Sequence, residues 1–219
     1  MDLFENDFFD NTPLPLVDGA VLLRRCALQN ESILLKDLNL ILAKSPLRHM
    51  VTPGGHSMSV AMTNCGSLGW VTDRKGYRYS TLDPTNNKPW QAMPASFLAL
   101  AVQAADAAGY VRFIPDACLI NQYKTGARMA LHQDKDEQDF SQPIVSVSLG
   151  VSATFLFGGL KRSDKPIKIQ LNHGDVIVWG GESRLNYHGI MPLKANNHAV
   201  PNNEMLSEFR FNLTFRKAD

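Results

Sequence analysis

Apolar residues recur at helical spacing in two segments of the chain. In the first, residues 31–44, leucine recurs at every fourth position from Leu34, and Asn30 precedes it as a candidate N-cap. The second, residues 94–108, is rich in alanine and leucine and is followed by Gly109, which suits the left-handed residue that ends a helix. The pattern predicts helices over both ranges.

Beyond residue 115 the pattern changes to short apolar or alternating runs, separated by Gly and Asn turns. The predicted strands are 116–123, 144–149, 154–157, 167–171, 175–178 and 208–215. Consecutive short strands without helical crossovers favour an antiparallel double-sheet jelly roll or barrel. We therefore predict an α+β fold with a jelly-roll core and flanking helices. The polar stretch 196–208 predicts a mobile loop.

The segment 46–93 follows neither period. It contains five glycines and four prolines, together with Trp70, Tyr77, Tyr79 and Trp90 interleaved with basic residues. A long irregular stretch in a compact chain is usually functional or disordered, and four aromatic side chains argue against disorder. This segment is predicted to be a partly ordered lobe or lid made of short strands and turns.

Length and charge narrow the possibilities. The chain has 219 residues, 44% of them hydrophobic and 20% charged, with 22 Lys and Arg against 21 Asp and Glu. This predicts one domain: an N-terminal segment with a helix (1–45), the lobe (46–93), and a helix with the β core (94–219). The near-neutral balance provides no general attraction to polyanions, so any nucleic-acid surface must gather its basic residues on one face.

Cysteine usage and the N-terminus indicate the compartment. The three cysteines are widely spaced and form no CxxC pair, which argues against a disulfide framework and a zinc ribbon. The N-terminus is acidic and no long apolar stretch follows it, so neither a signal peptide nor a membrane span is expected. We predict a cytoplasmic protein that is monomeric by default.

The strongest candidate for chemistry is the pair His132 and Asp134. On a strand, residues two apart point to the same face, and His188 could return to the same place across the intervening strands. Two imidazoles and one carboxylate with open positions suit non-haem Fe(II). The plainer alternative is a surface turn, since His-x-Asp pairs are frequent by chance.

A second candidate is the stretch Arg210–Arg216, which alternates strictly between apolar and polar residues. Such a strand usually has a solvated polar face. Alternatively, the polar face lines a cavity in which arginine binds carboxylate in bidentate fashion. Asn121 and Tyr123, also two apart, share a face that could complete such a site.

In combination and in this order, these motifs resemble the AlkB family of Fe(II)- and 2-oxoglutarate-dependent dioxygenases. The resemblance extends from about Gly19 to Arg216 and includes further stretches. They are Met50-Val-Thr-Pro-Gly-Gly, Met58-Ser-Val-Ala-Met-Thr-Asn-Cys-Gly, Leu131-His-Gln-Asp-Lys-Asp-Glu, Phe157-Gly-Gly-Leu-Lys-Arg, and His173-Gly-Asp through Gly181-Glu-Ser-Arg.

The resemblance implies a site for Fe(II), 2-oxoglutarate and O2. The implied iron ligands are His132, Asp134 and His188. The implied 2-oxoglutarate residues are Arg210 with Tyr123 and Asn212 at the distal carboxylate, and Arg216 with Asn121 at the carboxylate near the metal. The implied reaction hydroxylates an N-methyl group and releases formaldehyde.

The resemblance also implies the substrate: alkylated bases such as 1-methyladenine and 3-methylcytosine. They would be repaired in DNA, first of all single-stranded, with RNA and duplex DNA as further partners, and 46–93 would be a nucleotide-recognition lid. The implied substrate residues are Trp70, Tyr77, Arg78, Tyr79, Asp136, Arg162, Met62 and Thr52. Most of these have a plainer interpretation as packing or solvated residues.

The motifs are also compatible with two other hypotheses. One is the same iron chemistry on a protein side chain or a small molecule. The other is a jelly-roll binding module whose metal site is unused. The aromatic and basic lobe favours nucleic acid over the first, and the complete His-Asp-His set argues against the second.

Overall fold

The computed structural model describes residues 12–195 and 203–219 and has three α-helices within them. The helices are α1 (Glu31–Lys44), α2 (Ala95–Ala107) and α3 (Glu204–Glu208). The strands before α2 are β1 (Leu14–Val17), β2 (Ala20–Leu23), β3 (Arg48–Val51), β4 (Ser57–Gly66), β5 (Gly69–Asp73), β6 (Gly76–Ser80), β7 (Leu82–Asp83) and β8 (Lys88–Pro89). Those after α2 are β9 (Ala117–Tyr123), β10 (Met129–His132), β11 (Ile144–Gly150), β12 (Ala153–Phe157), β13 (Ile167–Leu171), β14 (Val176–Trp179), β15 (His188–Ile190) and β16 (Arg210–Arg216).

Two antiparallel sheets make up the body of the protein. The larger has eight strands in the order β1-β2-β14-β11-β16-β9-β4-β3, and the smaller has four in the order β10-β15-β12-β13. One apolar cluster lies between α1, α2 and the larger sheet, where Phe97 meets Phe215 edge to face at 6.0 Å between ring centroids. A second cluster includes side chains of both sheets, such as Phe155 and Trp179. The predicted α+β fold with a jelly-roll core is confirmed.

Both long helices form where the apolar spacing predicts them. Helix α1 buries Leu34, Leu38 and Ile41, and α2 buries an alanine-rich face around Phe97 and Leu100. The predicted capping by Asn30 is wrong, because its side chain makes no cap hydrogen bond with the described residues. Among the described residues, no helix is long and apolar enough to cross a membrane.

The ten-residue strand Ser57–Gly66 departs most from the sequence-based expectation. Seven consecutive residues at its end are buried, so the strand lacks the alternation that marks a half-exposed strand. It pairs with β9 inside the larger sheet, which places the first part of 46–93 in the core. Two hairpins, β5–β6 and β7–β8, lie outside the two large sheets.

The prediction of a loop over 196–208 is wrong for residues 204–208. Residues Glu204–Glu208 form α3, and the Asn203 side chain caps it by accepting a hydrogen bond from the Leu206 amide at 3.1 Å. Residues 196–202 lie outside the described part of the chain.

Candidate metal centre and its cavity

Two histidines and one aspartate converge between the sheets. His132 ends β10 and His188 begins β15, and the two are direct partners in the antiparallel register. Asp134 follows β10 by two residues, so only His132 lies on the strand. The predicted placement of both side chains on one strand face is therefore wrong, and Asp134 lies in the irregular segment after β10. The ligand atoms of the three residues all lie within 4.8 Å of one another.

Backbone carbonyls orient both imidazoles. His132 Nδ1 lies 2.9 Å from the Ala130 carbonyl oxygen, and His188 Nδ1 lies 3.0 Å from that of Asn186. A ring whose Nδ1–H donates to a carbonyl presents Nε2 as the metal-binding atom. Both Nε2 atoms face Asp134, at 3.6 Å from Oδ1 for His132 and 3.7 Å from Oδ2 for His188.

The electrostatics of the centre favour the metal-binding forms. Burial by itself would raise the pKa of Asp134, but the Arg216 guanidinium and the two imidazoles outweigh it and hold this pKa well below its usual range. Burial, aided by His132, lowers the pKa of His188 to about 4. At neutral pH the centre therefore offers an ionised carboxylate and a neutral His188, the states that bind a cation.

A cavity of about 430 Å³ surrounds the three residues. Arg210 lines it and is 1% exposed, with its guanidinium 5.2 Å from the centre of the Tyr123 ring. Its Nη2 donates to Ser148 Oγ at 3.0 Å, whereas Nε and Nη1 have no hydrogen-bond partner among the described residues. Leaving a charged donor buried and unpaired costs at least about 1–3 kcal/mol, which an anion bound here would recover.

Burial perturbs both members of the Arg210–Tyr123 pair. It lowers the pKa of Arg210 and raises that of Tyr123 to about 12, although the neighbouring cation opposes the latter shift. The phenol therefore stays protonated at neutral pH and remains a hydrogen-bond donor toward the cavity. Arginine beside a phenol is a suitable receptor for a carboxylate.

The polar face of β16 does not face solvent, so the plainer interpretation of its alternation is wrong. Arg210, Asn212, Thr214 and Arg216 all line the cavity and are buried. The Asn212 amide nitrogen donates to Ser146 Oγ and the Val147 carbonyl. Its oxygen accepts from Thr214 Oγ1 and from the amide of Asn121. These bonds order the cavity floor, and Asn121 Oδ1 has no partner among the described groups.

Aromatic side chains and an acid form the mouth of the cavity. The rings of Trp70 and Tyr77 stack at 5.6 Å with an angle of 16° between their planes. Trp70 Nε1 donates to Asp136 Oδ2 at 2.7 Å. Arg162 also lines the cavity and lies over the ring of Tyr187 at 6.0 Å. Met62 is fully buried in the cavity wall.

Three of the residues expected at the substrate lie elsewhere. As far as the described residues define the cavity, Thr52, Arg78 and Tyr79 are not part of its lining. Thr52 Oγ1 accepts from the His56 amide, and Arg78 pairs with Asp73 at 2.7 Å. Arg78 and Tyr79 border a neighbouring hollow, which shares Tyr77 and Asp136 with the cavity mouth.

The sequence-based assignment missed two charged residues beside the centre. Glu137 and Arg184 are buried and ion-paired at 3.0 Å. Both fall within stretches that carried the family resemblance, yet a single charged residue in a polar loop is ordinarily solvated. Trp179, which follows a run of buried strand residues, was also missed and lines the cavity.

The family model described as the 2OG-Fe(II) oxygenase superfamily matches residues 19–216. The alpha-ketoglutarate-dependent dioxygenase AlkB of Salmonella typhimurium is 60% identical over 213 residues, which are 96% of each chain. This chain belongs to the AlkB family of 2OG-Fe(II) oxygenases. The solved structure of OsALKBH1 is similar over 94% of this chain and 99% of that one, with 29% identity and a TM-score of 0.80. A more distant relative, the nucleic acid dioxygenase ALKBH1 of Mus musculus, is 36% identical over 128 residues, 56% of this chain and 31% of that one.

Membership defines the reactants as Fe(II), 2-oxoglutarate and O2, and the enzyme as an Fe(II)- and 2-oxoglutarate-dependent dioxygenase. The residues present fit these groups. Two imidazoles and a carboxylate are the donor set of non-haem Fe(II) oxygenases. The buried, unpartnered donors of Arg210 fit the acid end of a 2-oxoglutarate molecule in the same cavity.

Proposed function

We propose that this protein is an oxidative demethylase that repairs alkylated bases in nucleic acid. The observation that carries the proposal is a single cavity with the three potential iron ligands and Arg210 at its floor and a stacked Trp70–Tyr77 pair at its mouth. An AlkB-family centre is thereby joined to a surface on which a planar base can stack.

The residues of the centre have two roles: three hold the metal, and Arg210 with Tyr123 binds 2-oxoglutarate. His132, Asp134 and His188 hold Fe(II). Arg210 binds the distal carboxylate of 2-oxoglutarate through its unpartnered Nε and Nη1, with the protonated Tyr123 hydroxyl as a further donor.

The remaining polar residues of the floor complete this assignment. Asn121 and Arg216 serve the carboxylate near the metal. Asn212 acts indirectly, because its amide group is already bonded within the sheet. The ordered floor thereby keeps the reactants in place without having to rearrange.

The residues at the mouth select the substrate. A base methylated at N1 of adenine or N3 of cytosine is cationic and pairs poorly, so it flips out at reduced cost. Trp70 stacks on it with cation–π stabilisation, and Asp136 complements its charge. Arg162 and Tyr77 contact the adjoining backbone, with Met62 in the apolar wall.

The chemistry comes from the bound reactants. Fe(II) and 2-oxoglutarate together use O2 to convert the N-methyl group into a hydroxymethyl group, giving succinate and carbon dioxide, and the hydroxymethyl group leaves as formaldehyde. The protein's part is to hold the base over the centre, to exclude bulk water and to keep Asp134 ionised.

Thr52, Arg78 and Tyr79 lie outside the cavity lining and are not assigned to the bound base. Arg78 and Tyr79 border the neighbouring hollow, where a flanking nucleotide would lie. Thr52 packs at the end of β3. The proposed substrate is DNA, first of all single-stranded, with RNA and duplex DNA as further candidates. We further propose a cytoplasmic monomer, in keeping with three buried free cysteines.

The test is formaldehyde release from a single-stranded oligonucleotide carrying one 3-methylcytosine, with Fe(II), 2-oxoglutarate and ascorbate. Release should require 2-oxoglutarate and should be abolished by His132→Ala. Succinate formation without formaldehyde from any methylated oligonucleotide would contradict the substrate assignment and favour a protein or small-molecule target.

A further inference from the structure

A buried network of charges includes the metal carboxylate Asp134 and extends from it away from the cavity. Two carboxylates, Asp134 and Glu137, and two guanidiniums, Arg184 and Arg216, form it, and each is at most 10% exposed in its side chain. Four such charges are tolerated without water only if they are paired and hydrogen-bonded.

Glu137 connects the other members of the network. Its Oε2 accepts from Arg184 Nη2 at 3.0 Å. Its Oε1 lies 3.3 Å from Arg216 Nε and accepts from the Tyr79 hydroxyl at 2.6 Å. Both carboxylate oxygens are therefore engaged by groups from three different parts of the chain.

Both arginines that Glu137 holds also bind Asp134. Arg216 donates through Nε and Nη2 to Asp134 Oδ2. Arg184 donates through Nη1 to the Asp134 backbone carbonyl at 2.8 Å, and its Nε is occupied by the Gln142 carbonyl. Arg216 therefore fixes the side chain of Asp134, and Arg184 fixes its backbone. Glu137 contacts both arginines.

Tyr79 ties this network to the hairpin β5–β6. It is the register partner of Trp70, whose indole donates to Asp136, the residue before Glu137. The hairpin therefore contacts the 134–137 segment at two points. Trp70 donates to Asp136 at the cavity mouth, and the Tyr79 hydroxyl donates to Glu137.

We propose that Glu137 is a positioning residue, which holds Arg184 and Arg216 on Asp134 and connects the metal centre to the base-stacking hairpin through Tyr79. A base that settles against Trp70 then also steadies the carboxylate at the centre. The second half of this inference rests on the proposed function, since it assumes that the hairpin receives the base; the first half does not.

The first experiment measures metal binding without turnover. Titration of the apoprotein with Mn(II) should show about 10- to 100-fold weaker binding in Glu137→Gln, the loss typical of a residue that orients a ligand. A control is Glu31→Gln, which removes a carboxylate paired with His173 far from the centre. Equal Mn(II) affinity in Glu137→Gln and wild type would overturn the positioning role.

The second experiment isolates the hairpin connection with Tyr79→Phe, which removes one hydroxyl and keeps the ring. We expect kcat for the methylated oligonucleotide to fall about 5- to 10-fold with KM changed less than twofold, and more succinate per formaldehyde than in wild type. Tyr110→Phe, which removes a hydroxyl bonded to the Gly19 carbonyl, is the matched control and should keep the wild-type ratio.

The outcomes separate the two proposals. An unchanged kcat and ratio in Tyr79→Phe would overturn the connection to the hairpin, while a KM effect alone would indicate a mere packing role. A wild-type protein that releases no formaldehyde would contradict the proposed function, and the Mn(II) comparison would still decide the role of Glu137.

Discussion

Arg216 donates two hydrogen bonds to a single oxygen of Asp134, from Nη2 at 2.6 Å and from Nε at 3.0 Å. Both side chains are almost fully buried, at 7% and 10% exposure. A residue at the end of the last strand thus holds the carboxylate of a loop 82 positions earlier. The pair keeps Asp134 ionised and limits which of its oxygens can turn toward a metal.

Replacing Arg216 should therefore weaken metal binding. In Arg216→Met the buried carboxylate loses its principal counter-charge, so its pKa rises and its orientation is released. We expect Mn(II) affinity to fall about 10- to 100-fold, measured by calorimetry. Arg24→Met, which breaks an ion pair with Asp175 away from the cavity, serves as control and should bind Mn(II) normally.

Removing the Arg210 guanidinium should affect 2-oxoglutarate and leave the metal in place. Arg210→Met deletes two unpartnered charged donors, a loss of about 3 kcal/mol, so the Kd of 2-oxoglutarate should rise more than a hundredfold. Calorimetry with Mn(II)-loaded protein measures this. Mn(II) binding without 2-oxoglutarate should stay within twofold of wild type, and a parallel loss there would show that Arg210 acts on the metal.

Shortening Trp70 should weaken substrate binding. Stacking of a base on an aromatic ring contributes about 1–3 kcal/mol, so KM for the methylated oligonucleotide should rise roughly 5- to 150-fold in Trp70→Ala. Trp70→Phe should recover much of it. An unaltered KM in the alanine variant would exclude base stacking on this residue.

Neutralising Asp136 should reduce the preference for cationic bases. Asp136→Asn keeps an oxygen that accepts the Trp70 hydrogen bond but removes the charge. A partly exposed charge pair contributes about 1 kcal/mol. The ratio of kcat/KM for 3-methylcytosine to that for neutral 3-methylthymine should fall about fivefold, and an unchanged ratio would assign charge recognition to another group.

Two glycine substitutions test the packing of β4. Gly66 has φ +121°, and a Cβ there would lie 2.3 Å from the Asp116 carbonyl oxygen, whereas Gly55 has φ +84° and open space. Gly55→Ala should cost only the backbone strain of about 1–2 kcal/mol. Gly66→Ala should lose an additional 1–3 kcal/mol or so. Thermal unfolding of both variants measures the difference, and equal losses would show that the backbone at Asp116, just before β9, adapts.

Segments that bury one face were predictable from the sequence. The predicted bounds of helix α1 match the observed ones, because the apolar residues of its buried stripe recur at helical spacing. The predicted bounds of β13 also match, because turn residues flank it on both sides. Strand β4 was missed because it is buried on both faces, so its sequence carries no alternation. The short strand β15 owes its existence to its partners β10 and β12 more than to its own three residues.

The sequence by itself determined which chemical groups are available: two imidazoles, a carboxylate, two arginines on one strand face and an aromatic, basic lobe. Side-chain chemistry and strand periodicity are local properties, so the sequence carries them directly. Only the tertiary structure decided that Arg210 is left with unpaired donors while Arg216 is bound to Asp134, because that depends on neighbours distant in the chain. The same holds for Glu137 and Arg184, whose burial and mutual pairing arise only when a loop and a turn fold against the end of β16.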